Sequence, residues 1–411
     1  MEKQIESVGA LLLVAAVVAI LARRLGLPYM VGLVLAGVIL KLSPLTLHIQ
    51  LTKELLFALL LPPLIFEAAL ALPWRRLRCD LPVILVLATL GVVMSAGVTS
   101  AGMHYFARWS WAASSLFGVL IAATDPVSVI AAFKEAGVRG RLRLLVESES
   151  LLNDGTAAVL LAVVLAATGG ASYGALNIVQ SLVTTVIGGI VCGALVAGVL
   201  LLLAGHTDDH LIVISFTAVA AYGSFMLAEH LHVSGVIATL AAGLLIGNTR
   251  SLGAITERGR DAVESFWEYV AFVVNSLIFL LIGVHAARHG FDGNIGVAAI
   301  AVMLVVAGRA LSVYSCCALF SLSASRVEMR HQHIIFWAGL RGALALALAL
   351  GLPESIPERE AIRNVAFAVV AFSVFVQGLT MTPLLRKMRV LPRHGAALAD
   401  SESPVGFSDG L

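Results

Sequence analysis

Ala123-Thr124-Asp125-Pro126 and Glu149-Ser150-Leu151-Leu152-Asn153-Asp154 place three carboxylates within thirty residues, between long apolar runs. A carboxylate at the centre of a membrane helix costs roughly 2.5–3.5 kcal/mol on insertion scales, so acids in such a setting point first to a cation or proton pathway. The surrounding sequence supports that setting. The chain of 411 residues is 59% hydrophobic and 13% charged, with a mean hydropathy of +0.97, which is too apolar for a soluble domain of this size. It reads as an all-α polytopic membrane protein.

The net charge of +2, with basic residues dispersed between apolar runs, excludes a nucleic-acid surface. Cys79, Cys192, Cys316 and Cys317 lack metal-ligand spacing and read as small apolar filler. Thirteen candidate spans follow from the apolar runs: 5–22, 28–43, 52–72, 81–106, 111–132, 144–168, 176–204, 210–229, 232–248, 263–287, 295–321, 331–352 and 362–384. The first run carries Glu2 and Glu6 and is followed by Arg23-Arg24, so it reads as a retained helix and not a cleaved signal. With the N-terminus outside, the inside links carry 18 Lys and Arg against 7 in the outside links and the adjoining span ends, leaving only Arg309 and Arg341 in span interiors. That asymmetry predicts an outside N-terminus and a cytoplasmic C-terminus.

Leu27-Pro28-Tyr29 through Ile39-Leu40 aligns without gaps on Val233-Ser234-Gly235 through Leu245-Ile246, with Ala36-Gly37 on Ala242-Gly243 and an offset of 206. The two segments run in opposite directions, which predicts two inverted six-helix repeats joined by span 7. The offset sets Thr124-Asp125-Pro126 of span 5 opposite the first half of span 12, where Ala338-Gly339-Leu340-Arg341-Gly342 interrupts the apolar pattern. Pro126 removes a backbone donor and the glycines relax the helix, so spans 5 and 12 are expected to be discontinuous and to cross at mid-membrane. Leu61-Pro62-Pro63 in span 3 reads as an ordinary kink or a further break.

Glu149, Ser150, Asn153 and Asp154 stand at i, i+1, i+4 and i+5 and share one face of a helix. Asp125 can approach that face, bringing together the oxygen ligands that hard alkali cations require. Two carboxylates in one buried site resist joint ionisation, so a proton and a sodium ion compete for Asp154. That competition couples the two fluxes when the site faces one side at a time. Arg309 demands an anionic neighbour, and Glu149 can supply it; Arg341 is the rival for that role. Glu67 in span 3 reads either as a cap on a kinked helix or as a station on the ion's path. Glu268 and Asn275 read as helix-contact residues, and His331 and His333 as solvated interfacial groups.

At these motifs the chain resembles the NhaP-type bacterial sodium/proton antiporters of the monovalent cation/proton antiporter family and, more distantly, the animal sodium/proton exchangers. The matching segments are Leu61-Pro-Pro-Leu-Ile-Phe-Glu67, Ala123-Thr-Asp-Pro126, Glu149-Ser-Leu-Leu-Asn-Asp154, the Ser234-Gly235 to Gly247-Asn248 run, Arg309-Ala-Leu-Ser-Val-Tyr314 and Gly339-Leu-Arg-Gly342. The resemblance implies a homodimer in the bacterial inner membrane. Helices 1–3 (residues 1–77) and 8–10 (208–290) would form a scaffold, and helices 4–6 (78–170) and 11–13 (291–390) a moving core, with 171–207 as linker and 391–411 as a short disordered tail. It also implies that Asp154, Asp125, Ser150 and the Thr124 carbonyl hold sodium, and that Glu149 binds through water and pairs with Arg309. Asn153 before Asp154 implies electroneutral exchange. Ser148, preceded by Glu147, stands where the family often has Gly, and Glu147 is placed to shift ion affinity.

The expected function is electroneutral exchange of sodium or lithium for protons, with no cofactor and no enzymatic reaction. Potassium/proton exchange on the same fold is the nearest alternative. A cation channel and an intramembrane aspartyl protease are remote. No selectivity-filter loop is visible, and Asp154 lacks the Gly-x-Gly-Asp setting of such proteases.

Overall fold

The computed structural model describes residues 2–25, 28–42, 55–125, 140–168, 175–204, 209–249, 257–289, 295–323, 325–356 and 358–388, with 129, 130, 133, 137, 138 and 390. Pro126, most of the second half of span 5 and the tail 391–411 lie outside the described residues. Among the described residues all regular structure is helical. The helices are α1 (Glu2–Leu25), α2 (Tyr29–Leu42), α3 (Leu55–Leu70), α4 (Trp74–Ala107), α5 (Trp111–Leu120), α6 (Arg141–Thr168) and α7 (Ala175–Ala204). They continue with α8 (His210–His230), α9 (Gly235–Gly247), α10 (Glu257–His289), α11 (Ile295–Ala318), α12 (Met329–Trp337), α13 (Ala343–Leu350) and α14 (Arg359–Lys387).

Seven of these are long and apolar enough to cross a membrane: α4, α6, α7, α8, α10, α11 and α14. Their outward faces carry large apolar side chains. On α7, Ile187, Val191, Leu195 and Leu202 are 55%, 55%, 59% and 72% exposed, a surface that only lipid or another apolar face covers at low cost. The protein is a multi-pass membrane protein.

Three element boundaries depart from the sequence reading. α4 begins at Trp74, so Arg75, Arg76 and Arg78 belong to a helix and not to a link. Pro73 sets the start, and the Trp74 N–H, with no carbonyl one turn earlier to bond, donates to Asn248 Oδ1 at 2.7 Å. In α3 the prolines do not break the chain. Pro62 and Pro63 occupy the opening positions of the regular α-helix Leu61–Leu70, where a missing N–H is best tolerated, and the strain is taken up in a wider π-helical turn over Leu55–Leu60. α10 extends back to Glu257, because Arg260 and Glu264, four residues apart, pair on its polar end at 2.7 Å.

The helices pack in two sets. In one, α2 lies along α10, α3 along α9, and α8 against α9 and α10, with α7 on α8 and α9. In the other, α4 packs on α5 and α11, α6 on α4 and α5, and α14 on α11 and α13. Small residues allow the closest crossing. A Cβ on Gly37 would collide with the Leu280 carbonyl oxygen and would lie 3.0 Å from the Cα of Gly283. In a membrane, where lipid competes for every apolar contact, such backbone approach is a principal source of helix association.

Candidate functional site

α6 carries the central side chains, and its 3.6-residue turn brings all four inward. Glu149, Ser150, Asn153 and Asp154 are 1%, 1%, 0% and 7% exposed. Two interrupted helices meet this face. α5 ends at Leu120, and residues 121–125 leave the helix. α12 ends at Trp337, residues 339–342 are non-helical, and α13 resumes at Ala343.

These two unwound stretches are tied to each other. The Asp125 N–H donates to the Leu340 carbonyl at 2.7 Å. Arg341 Nη1 donates to the carbonyls of Ala122 and Ala123, the latter at 3.1 Å. Each bond replaces one that the interrupted helix forgoes, and the guanidinium sits at the negative end of the α5 dipole. Gly342 is required by contact: a Cβ there would run into the carboxylate and Cβ of Asp125.

The side chains between them form a connected polar network. Thr124 Oγ1 and Ser150 Oγ lie 2.9 Å apart, and Asn153 Nδ2 donates to Thr124 Oγ1 at 2.9 Å and to Glu149 Oε1 at 3.3 Å. Glu149 is held by a two-pronged bond from Arg309, with Nη1 to Oε1 at 2.7 Å and Nη2 to Oε2 at 2.9 Å. Arg309 Nη2 also donates to the Ile335 carbonyl of α12 at 3.2 Å. The partner of Glu149 is therefore Arg309 from α11, while Arg341 serves the backbone of α5. A guanidinium fork matched to a carboxylate is the strongest pairing available to two buried charges.

Asp154 stands apart from this network. Its Oδ1 is buried without a hydrogen-bond partner, as is Oδ1 of Asn153. Asp154 borders a cavity of about 720 Å³ together with Asp125, Thr124, Glu67, Asn275 and Arg143. Glu67, Arg143 and Glu268 also line an adjoining cavity of about 850 Å³, whose rim carries Arg75, Asn248 and Arg260. The two cavities share Glu67, Ala71, Arg143 and Glu268, so charged side chains stand between the second cavity and Asp154 within a largely apolar lining.

The sequence reading did not place Tyr29, Arg143, Glu268 or Asn275 on this cavity. Tyr29 sits at the start of α2, where its hydroxyl bonds Ser276 Oγ of α10. Arg143 pairs with Glu147 at 2.5 Å. The signal for these two was the i, i+4 spacing of Arg143 and Glu147, which marks a charged face on a helix that must otherwise be apolar. Glu268 and Asn275, read from the sequence as helix contacts, line the cavities. His333 is not a solvated group, because its Nδ1 lies 2.6 Å from the Tyr314 hydroxyl.

Known proteins share this architecture. The family described as sodium/hydrogen exchanger, transmembrane, matches residues 11–387. The low-affinity Na(+)/H(+) antiporter NhaS1 of Synechocystis sp. is 38% identical over 371 residues, covering 89% of this chain and 70% of the relative. The Na(+)/H(+) antiporter ApNhaP of Aphanothece halophytica is 37% identical, again over 89% of this chain and 70% of its own. Among solved structures, the sodium proton antiporter MjNhaP1 from Methanocaldococcus jannaschii at pH 8 superposes with a TM-score of 0.70 at 21% identity, covering 94% of this chain and 95% of that one. By its sequence over nearly its whole length, and by a fold shared with a solved antiporter, the chain belongs to the sodium/hydrogen exchanger family.

Proposed function

We propose that this chain is an electroneutral Na+/H+ antiporter, also accepting Li+, in which one cation and one proton compete for Asp154 and Asp125 during alternating access. The observation that carries this reading is the buried, unpartnered Oδ1 of Asp154 on a cavity that Asp125, Thr124, Glu67 and Asn275 also line. An unpaired carboxylate oxygen in such a place is costly unless it takes a proton or a cation. Thr124 lines the same cavity, and Ser150 Oγ lies 2.9 Å from Thr124 Oγ1; both supply oxygen atoms, and a sodium ion suits such hard ligands. Glu149 supports the site through Arg309, since both its oxygens already accept from that guanidinium. Asn153 contributes no charge and Glu149 is matched by Arg309, so Asp154 and Asp125 alone are left to exchange cation and proton, consistent with one-for-one exchange. The relatives named above as Na(+)/H(+) antiporters support the choice of ions.

The finer architecture belongs to the same proposal: thirteen spans in two inverted repeats, a scaffold of helices 1–3 and 8–10, a moving core of helices 4–6 and 11–13, and α7 as linker. The aligned glycines support the repeat. Gly37 of α2 meets the backbone of α10 at Leu280, and Gly243 of α9 meets the backbone of α3 at Phe66. Under an inverted repeat, α2 corresponds to α9 and α10 to α3, so both glycines occupy the equivalent crossing. The chain would form a homodimer in the inner membrane, N-terminus outside and C-terminus cytoplasmic, with the cavity below Asp154 opening inward.

The test is cation-induced dissipation of a preset pH gradient in proteoliposomes, with sodium, lithium and potassium compared under and without a voltage clamp. Sodium-dependent proton movement indifferent to the clamp is expected. A response to potassium alone would reassign the cation, and clamp-sensitive movement would overturn electroneutrality.

A further inference from the structure

Arginines at the helix ends mostly stand in pairs. Arg141 donates to Asp80 Oδ1 from Nε at 2.9 Å and Nη2 at 2.7 Å, and Arg143, Arg260, Arg330, Arg359 and Arg363 each meet a glutamate. The first turn of α4 differs. Arg75, Arg76 and Arg78 are all exposed and form no ion pair among the described residues, and no acidic residue stands in that turn. Trp74, 44% exposed, lies four residues from Arg78 and so on the same face. Leu77 turns inward instead, into the apolar cluster that also holds Met381 and Leu385 of α14.

We propose that the first turn of α4 binds the phosphate headgroup of an anionic membrane lipid. Three exposed guanidiniums outside any described ion pair, with Arg75 also on the rim of the larger cavity, suit phosphate oxygens, which each can grip with two N–H groups. The remainder of α4 identifies the ligand as a lipid. Above the arginines the helix exposes Leu85, Leu90 and Val93, 42%, 44% and 50% accessible, an apolar stripe on which acyl chains can lie while the headgroup stays at the arginines. An exposed Trp beside arginines at the start of a membrane-crossing helix is the composition of the headgroup layer.

The seat also lies beside a junction. Asn248 of the α9 end holds the chain between α3 and α4 from both sides, accepting from the Trp74 N–H and donating from Nδ2 to the Leu72 carbonyl at 2.8 Å. This link joins the two sets of packed helices, so a lipid bound there fixes the depth of α4 next to the point where they meet. Any effect on exchange rests on the transport reading above; the binding does not.

The purified protein in detergent is titrated with phosphatidylglycerol, phosphatidylcholine and inorganic phosphate, and its melting followed. Phosphatidylglycerol is expected to raise the apparent Tm by several degrees while the other two leave it unchanged. Each basic residue near an anionic surface strengthens binding roughly fivefold, so the combined R75Q, R76Q and R78Q variant should bind phosphatidylglycerol about a hundredfold more weakly. Equal stabilisation by phosphatidylcholine, equal stabilisation by inorganic phosphate, or an unchanged response in the triple variant would each overturn the proposal. Should that variant fail to insert, fluorescence settles the question on the native chain. Brominated phosphatidylglycerol should quench native emission more than brominated phosphatidylcholine does, and Trp74→Phe should remove that difference. No such difference between the two lipids in the native protein would again overturn it.

Discussion

The crossing of α2 with α10 and the meeting of α5 with the α12–α13 interruption both depend on glycine, yet they use it oppositely. At Gly37 and Gly283 two intact helices touch, and no backbone hydrogen bond among the described residues passes between them. Only packing is at stake there. At Gly342 the helix is open, its neighbour α5 has also stopped, and the freed carbonyls of Ala122, Ala123 and Leu340 take partners from Arg341 and the Asp125 N–H. Charge and irregular backbone occur together, because each satisfies the other in a medium that offers no water. The comparison teaches where this protein spends its buried charges: at the interrupted helices, and not at the close-packed crossings.

The largest expected effect lies on the open side. Asp154→Asn removes the group for which proton and cation compete, so sodium-dependent proton movement in proteoliposomes should vanish while the protein still elutes and melts as the native one does. Retained exchange would separate the open crossing from transport altogether. Arg309→Ala should follow in size. It leaves Glu149 buried without its fork, a change that typically costs about 3–5 kcal/mol, and thermal melting in detergent should fall by many degrees. Unchanged melting would show that Glu149 finds another partner in the network.

The same substitution at two glycines sharpens the contrast further. Gly37→Ala pushes one backbone against another with nothing flexible to yield, and should destabilise by about 3 kcal/mol, the upper part of the range for overpacking. Gly342→Ala meets the Asp125 carboxylate and its Cβ, so the backbone of Asp125 must shift and not only its side chain. Its stability should drop by a comparable amount, but here the apparent sodium affinity also falls at least tenfold, read from the cation dependence of exchange. An equal fall in affinity at the two sites would erase the distinction between them. The smallest effect belongs to Thr217→Val in the close-packed set. It keeps the side-chain volume and removes the hydroxyl that accepts from Trp267 Nε1 at 2.9 Å, worth about 0.6 kcal/mol as membrane hydrogen bonds go, with exchange unaltered.

Much of this was legible before any coordinates. Apolar runs mark the helices, because backbone in lipid must satisfy its own hydrogen bonds and no other regular element does so within one segment. Gly339-Leu340-Arg341-Gly342 signalled an interruption by composition, and the spacing of Glu149, Ser150, Asn153 and Asp154 placed all four on one face. What the chain alone left open was which groups from distant segments meet. Arg309 and Arg341 are equally plausible partners for Glu149 by residue type, separated only by the path of α11 against α6, which puts one guanidinium on a carboxylate and the other on two carbonyls. Glu268 and Asn275 are ordinary polar residues of a long helix until α10 is laid against α2 and α3, where they line the cavities leading to Asp154. Periodicity and hydropathy are local properties, carried by each segment wherever it lies; pairing and enclosure are relations between segments, and exist only once the helices have packed.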